Sequence, residues 1–254
     1  CTSCLYAMEV KTHFEVNCKG FTMVIPSVSV GNVGQLAVDL MISTLQAKKF
    51  VSLHHKAIVP LVGYNPFLND GELMTALEGF VAEKYRIVFI QMRSPIIKDK
   101  KKQFVDSVLN WANSIGITNL LHLTSCHSYE QSDYDIQNSQ VSFICHPNLQ
   151  ENLKADLRLL GMTEYSKQND KKEFFLPGSG LTPFLYNQCV ERNSPLLVLL
   201  KFCSEGDNRP DAFLMATSIF KHLKVDMGNS EGIRWLVPHS WKLLFGPDPP
   251  KTMY

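Results

Sequence analysis

Apolar residues recur along this chain in two rhythms, one of strands and one of helices. Phe21–Ile25 is a short apolar run closed by Pro26, and it predicts a buried strand. A turn follows at Gly31-Asn32. Val33, Leu36, Ala37, Leu40, Met41, Thr44 and Leu45 then repeat at three- and four-residue spacing, the stripe of an amphipathic helix. Val38 and Ile42 are apolar too, so this helix is expected to be covered on more than one side. Ile58–Val62 reads as a strand stopped by Gly63-Tyr64-Asn65-Pro66. Leu73–Ala82 and Arg86–Met92 read as two strands joined by a charged turn at Glu83-Lys84.

The same alternation runs to the C-terminal third. Phe104, Val108, Trp111, Ala112 and Ile115 line a helix that Gly116 stops, and Ile117–Leu123 is the next strand. Pro147 opens a helix carrying Leu149, Leu153, Leu157 and Leu160, which ends at Gly161. Glu173–Leu176 reads as a short strand, followed by Pro177-Gly178-Ser179-Gly180 and a helix through Cys189. Leu196–Phe202 has the two-faced apolarity of a central strand. Pro210 opens a last helix with Ala212, Met215, Ala216, Ile219, Phe220 and Leu223 on one side. Tyr129–Gln140 and Tyr165–Lys172 read as loops. Strands alternating with helices predict a three-layer α/β fold: a mixed, mostly parallel sheet with helices on both faces. No linker interrupts the pattern. The expected organisation is an N-terminal extension over 1–20, one α/β domain over 21–245 and a Pro-rich tail over 246–254. The first methionine is Met8, so residues 1–7 are expected to lie upstream of the native start.

Composition narrows the function. The 254 residues carry 25 Lys plus Arg against 24 Asp plus Glu, and that near-neutral balance argues against a nucleic-acid binder. The cluster Lys98-Asp99-Lys100-Lys101-Lys102 fits a solvated helix start. Seven scattered cysteines, such as Cys145 and Cys203 in apolar runs, fit reduced thiols of an intracellular protein. No apolar run approaches the roughly 20 residues needed to span a bilayer, so no membrane partner is expected.

Motifs of catalysis are weak. Gly31, Asn32 and Gly34 lie between strand and helix, where backbone N–H groups can hold an anion. The turn is neither a Walker loop nor GxGxxG, and glycine there usually marks close backbone approach. Ser125-Cys126-His127 and Cys145-His146 place nucleophile beside base, but adjacent residues of a strand face opposite ways. Cys1-Thr2-Ser3-Cys4 lacks a second ligand pair for zinc. Pro177-Gly178-Ser179-Gly180 does not meet the GxSxG spacing. Glu205 and Asp207 follow a strand at the edge where open α/β sheets bind ligands, and acidic residues at a helix start are also common without one. The C-terminal Gly246-Pro247-Asp248-Pro249-Pro250 favours an extended tail, which presents Thr252, Met253 and Tyr254 to a partner pocket.

FTMVIPSVSVGNVGQLAVDLMISTL, VPLVGYNP, QMRSPIIK, TSCHSYEQSD, LLKFCSEGDNRPDA and SWKLLFG occur in that order. Together they resemble the proteasome assembly chaperone family from about Phe21 to Phe245. The resemblance implies a fold similar to the nucleoside phosphorylase/hydrolase-like α/β fold, and a chaperone without enzymatic activity or cofactor. It implies a heterodimer with proteasome assembly chaperone 1 that binds alpha subunits of the 20S proteasome. That pair would promote alpha-ring formation and block off-path ring association, in cytoplasm and nucleus. Members can end in a hydrophobic residue, tyrosine and any residue; here Met253 is penultimate and Tyr254 follows it. The rival expectation is a phosphate-using nucleosidase or phosphorylase-like enzyme, with Gly31–Gly34 on the anion and Glu205 or Asp207 as acid or base.

Overall fold

The computed structural model describes residues 7–68, 70–131, 141–149, 151–165, 174, 176–227 and 232–243. A nine-stranded sheet organises them. Its middle is β2 (Thr22–Pro26), flanked by β7 (Ile87–Met92) and β8 (Asn119–His127), with β11 (Leu196–Cys203) beyond β8. These neighbours pair in parallel. Parallel strands must be joined by crossovers that cover the sheet. Helices α1 (Val33–Leu45) and α5 (Arg209–His222) cover one face, with Leu157 of α3 (Glu151–Leu159). Helices α2 (Lys101–Ser114) and α4 (Thr182–Glu191) cover the other. The strands are therefore apolar on both sides, alternating residue by residue. Met23 and Ile25 face α2 and α4, while Val24 between them faces α1 and α5.

Beyond β7 the sheet continues through β6 (Leu77–Ala82), β3 (Lys48–His54) and β1 (Glu9–Thr12), all antiparallel. At the other side β9 (Ser142–Cys145) is antiparallel to β11, and β10 (Thr163–Glu164) is parallel to β9. The expected mostly parallel sheet is thus corrected: within this sheet antiparallel pairs are as frequent as parallel ones, because the chain runs back and forth through β1, β3, β6 and β7 on one side and β9 runs against β11 on the other. β1 and β3 had no forecast. A bulge between Lys49 and Val51 breaks the alternation of β3, and all four residues of β1 are exposed. Residues 9–12, assigned by sequence to the extension, belong to the sheet.

Two other forecasts change. Leu73–Ala82 splits at Ala76, into β5 (Leu73–Thr75) and β6. β5 pairs with β4 (Val62–Tyr64) in a separate two-stranded sheet. Ile58–Val62 is not a strand; Ile58 makes a single bridge to Ile96, and only Val62 enters β4. Of Glu173–Leu176 only Phe174 and Leu176 are described, and neither lies in a strand. The glycine stops hold: Ile117 N–H donates to Ala112 O at 3.0 Å past Gly116, and Met162 N–H to Leu157 O at 3.1 Å past Gly161.

A part-buried ion pair on a buried carboxylate ties α1 to the end of β7. Asp39, 5% exposed, accepts from Arg93 at 2.7 and 3.0 Å and from Gln91 Nε2 at 2.7 Å. Replacing Arg93 alone leaves a desolvated carboxylate without its counter-charge. Arg93→Met is expected to cost about 3 kcal/mol, and the double change Asp39→Leu/Arg93→Met to recover most of it. Urea unfolding of the three chains decides this; equal losses in the single and double variants would refute it.

Candidate functional site

The strands β2 and β7 send α1 and α2 to opposite faces, which makes their C-terminal ends the topological switch point of the sheet. Side chains and loops fill the neighbouring ends of β2, β8 and β11. Ser29 Oγ lies 2.8 Å from Ser125 Oγ, and Val30 O accepts from Ser125 Oγ and from Cys203 Sγ at 3.4 Å. Ser27 Oγ donates to Ser179 O at 2.8 Å and accepts from Leu181 N–H at 2.7 Å. The loop through Gly178-Ser179-Gly180 therefore seals the end of β2.

Gly31 has φ +65°, and a Cβ there would stand 2.5 Å from Asn208 Nδ2 and 3.1 Å from Cys203 Sγ. A Cβ at Gly34 would stand 2.8 Å from Leu123 O. Asn32, at φ 52°, gives its N–H to Ser29 O at 3.1 Å. These three residues let α1 start in close contact with the ends of β8 and β11. Glu205 and Asp207 are exposed on the turn after β11, beside the residues that Gly31 touches. Arg209 holds Asp207 through Nη2 at 2.7 Å and Nε at 2.9 Å, which keeps its carboxyl below the usual range. Burial, with Asp211 nearby, pushes the Cys203 thiol up to about 11, so it stays protonated and is a poor nucleophile at neutral pH. Cys126 is buried, whereas His127 stacks on Tyr129 at 4.8 Å. Among the described residues no group of three His, Cys, Asp or Glu side chains is arranged to hold a metal ion. Thr252, Met253 and Tyr254 lie outside the described residues, as do Cys1 and Cys4.

His122 is the buried base of this region. Its Nδ1 lies 3.0 Å from Ile25 O, and its Nε2 lies 3.0 Å from Thr182 Oγ1. Ile25 O can only accept, so Nδ1 carries the proton and donates to it, and Nε2 is the ring's acceptor nitrogen beside Thr182 Oγ1, whose hydroxyl also reaches Ser179 O at 2.7 Å. Complete burial lowers the His122 pKa to about 4.

Sequence reasoning missed an exposed apolar feature, the β4–β5 hairpin. Tyr64 pairs with Leu73 and Val62 with Thr75, so Val62, Tyr64 and Leu73 share the outward face. Tyr64 is 80% exposed, Val62 66% and Leu73 57%, and Val59, Leu61 and Leu68 in the flanking segments are exposed as well. Met74, on the inward face, is 3% exposed. A two-stranded hairpin is marginal alone, so its order comes from bracing. Asn65 Oδ1 accepts from Phe67 N–H at 3.0 Å and Leu68 N–H at 3.3 Å, and Asn65 Nδ2 donates to Asp70 at 3.0 Å. Glu72 pairs with Lys49 of β3. Glu78, 2% exposed in β6, accepts from Thr75 N–H at 2.7 Å and from Ser52 Oγ of β3 at 2.7 Å. Phe67 lies under the Arg93 guanidinium, 5.8 Å from ring centroid to Cζ. An ordered, outward apolar face of this kind suits a protein partner. The available signal was an apolar run punctuated by Pro60, Gly63 and Pro66 with no helix after it.

Two outcomes follow from the closed sheet edge. Gly31→Ala meets both a left-handed backbone and the Asn208 side chain, and is expected to cost about 2–3 kcal/mol. Adding Asn208→Ala relieves the clash but leaves the backbone part, about 1–2 kcal/mol, in urea titrations. If the added change recovers nothing, the contact is not what confines residue 31. For His122, the unfolded side chain takes up a proton near pH 6.5 while the folded one resists until about pH 4. Its contribution is complete above pH 6.5 and is lost as pH falls toward 4, in total about 3 kcal/mol. His122→Gln should flatten the stability profile in that window; an unchanged slope would assign it elsewhere.

The chain has relatives of known name. The PAC2 family model matches residues 23–223. "Proteasome assembly chaperone 2" of Homo sapiens is 36% identical, covering 92% of this chain and 95% of that protein. The protein of that name from Danio rerio is 35% identical, over 93% and 95%. In fold, the chain is similar to Pyrococcus furiosus PbaB, described as an archaeal proteasome activator (TM-score 0.66, 15% identity, 87% of this chain and 91% of that one). It is also similar to P. furiosus PbaA, described as an archaeal homolog of proteasome-assembly chaperone (TM-score 0.64, 14% identity, 88% and 89%). With its family model spanning most of the α/β sheet and its relatives nearly the whole sequence, the chain belongs to the PAC2 family.

Proposed function

We propose that this chain is a non-enzymatic chaperone of 20S proteasome assembly. The observation that carries the reading is the match to relatives named for that role, along more than nine-tenths of both chains. In this reading the chain pairs with proteasome assembly chaperone 1. The pair then holds alpha subunits while the alpha ring forms and keeps rings from associating off the path, in cytoplasm and nucleus. Nothing is bonded or cleaved. The work is done by covering surface, with apolar burial offsetting the freedom lost on association. Two features support it. The β4–β5 hairpin presents Tyr64, a residue type enriched at binding hot spots, on one exposed face with Val62 and Leu73. The filled sheet edge, with Asp207 held by Arg209 and the Cys203 thiol protonated, lends no comparable support to a phosphate-using nucleosidase. The tail residues Thr252, Met253 and Tyr254 are assigned in this reading to alpha-subunit docking.

Tagged protein drawn from cell lysate should bring down a second assembly chaperone and alpha subunits without mature beta subunits, as read by mass spectrometry. Tyr64→Ala should reduce capture of one of these partners at least tenfold, with the melting temperature unchanged because the side chain faces solvent. Removing residues 252–254 should cost alpha subunits and spare the partner chaperone. Recovery of neither class of protein by the intact chain would overturn the reading.

A further inference from the structure

β1 closes one side of the large sheet, and all four of its residues are exposed. An edge strand offers its outward N–H and C=O groups as a template for another strand. The ladder with β3 fixes which residues of β1 offer them. Its pairs are Glu9 with His54, Val10 with Leu53, Lys11 with Ser52 and Thr12 with Val51. The next residue, His13, gives its N–H to Phe50 O at 2.8 Å. Bonded and non-bonded pairs alternate along an antiparallel ladder. Glu9, Lys11 and His13 therefore bond inward to β3, whereas Val10 and Thr12 turn their N–H and C=O groups outward. Among the described residues no strand pairs with β1 on that side.

The side chains add a second constraint. Glu9 and Lys11 lie on one face of β1, both exposed, and neither forms an ion pair with another described residue. Beside them on that face are His54, opposite Glu9, and His13, whose Nε2 lies 2.8 Å from Ser52 Oγ. Val10 lies on the other face, opposite the buried Leu53, and with Leu53, Ile58 and Ala76 it lines a cavity of about 480 Å³. A second copy of the chain meets both constraints in a single register, with the two β1 strands antiparallel about a twofold axis at Val10. Val10 then exchanges N–H···O bonds with Val10 of the second copy and extends the apolar wall of the cavity. Glu9 stands opposite Lys11 of the second copy, and Lys11 opposite its Glu9, so like charges meet only across diagonals. The neighbouring bonded registers place Lys11 opposite Lys11 or Glu9 opposite Glu9, and a slip of one residue brings inward-bonded groups to the seam. The contact is isologous, so it consumes both edges and closes. We infer that two copies of this chain join edge to edge through β1, making one continuous sheet across the pair.

Sedimentation velocity of the purified whole chain should show a dimer whose fraction rises across a hundredfold range of concentration. Glu9→Lys brings a lysine opposite Lys11 of the second copy and should leave monomer; Lys11→Glu should do the same by facing two carboxylates. An equimolar mixture of these two variants should restore the dimer, at least tenfold above either variant alone, because each strand then meets the opposite sign. Both positions are exposed, so the fold is not at stake. Val10→Pro removes the outward N–H, keeps the ladder to β3 and should also leave monomer, with the melting temperature unchanged. A chain monomeric at every concentration, a dimer indifferent to Glu9→Lys, or a mixture that stays monomeric would each overturn the inference. If the chain alone is monomeric and Glu9→Lys instead loses the second assembly chaperone from the lysate, the edge belongs to that protein, which overturns the inference as well. The sedimentation is done without other proteins, so it succeeds or fails independently of alpha-subunit capture.

Discussion

Parallel strands cannot be closed by a tight turn, and that constraint shapes most of the molecule. β2 bonds in parallel to both β7 and β8, and β8 in parallel to β11. Each connection must leave the sheet, travel along a face and return, so both faces acquire helices and the strands become apolar throughout. The polar groups that remain collect where strands stop. There Ser27, Ser29, Thr124, Ser125 and Thr182 each spend a hydroxyl on a backbone carbonyl or another side chain. In many α/β enzymes that edge is left open to a ligand. Here the glycines at 31 and 34 and the loop at 178–180 draw backbone into it.

The helical stripe of Val33–Leu45 and the two-faced run Leu196–Phe202 were legible because each element's periodicity records its own burial. The Gly116 and Gly161 stops were legible because helix ends are local. β1 and β3 were not. Lys48 and Lys49 open β3 as a charged pair, its bulge shifts the alternation, and β1 has no buried position to betray it. The break at Ala76 was hidden for a related reason: Leu73–Ala82 is one apolar run in sequence, but its two halves serve different sheets. At the functional end, residue types directed attention to Gly31, Glu205 and Asp207, whereas the outward hairpin rests on aliphatic residues that look like core. Only the pairing of Tyr64 with Leu73, and of Gly63 with Met74, shows which of them face away.

The buried carboxylate of Glu78 ties the hairpin to the state of the sheet. One oxygen holds Thr75 at the foot of the hairpin; the other holds Ser52 of β3, 26 residues away in sequence. The carboxylate becomes fully satisfied only after β3 has zipped onto β6. The hairpin is therefore braced only in a chain whose β3 and β6 are paired. A chain in which that pairing is open lacks the brace under the Val62–Tyr64–Leu73 face, so a partner that selects the aligned face selects molecules with this part of the sheet formed. Amide protons of β3 and of the hairpin would exchange with solvent as one cooperative unit, opening together and closing together.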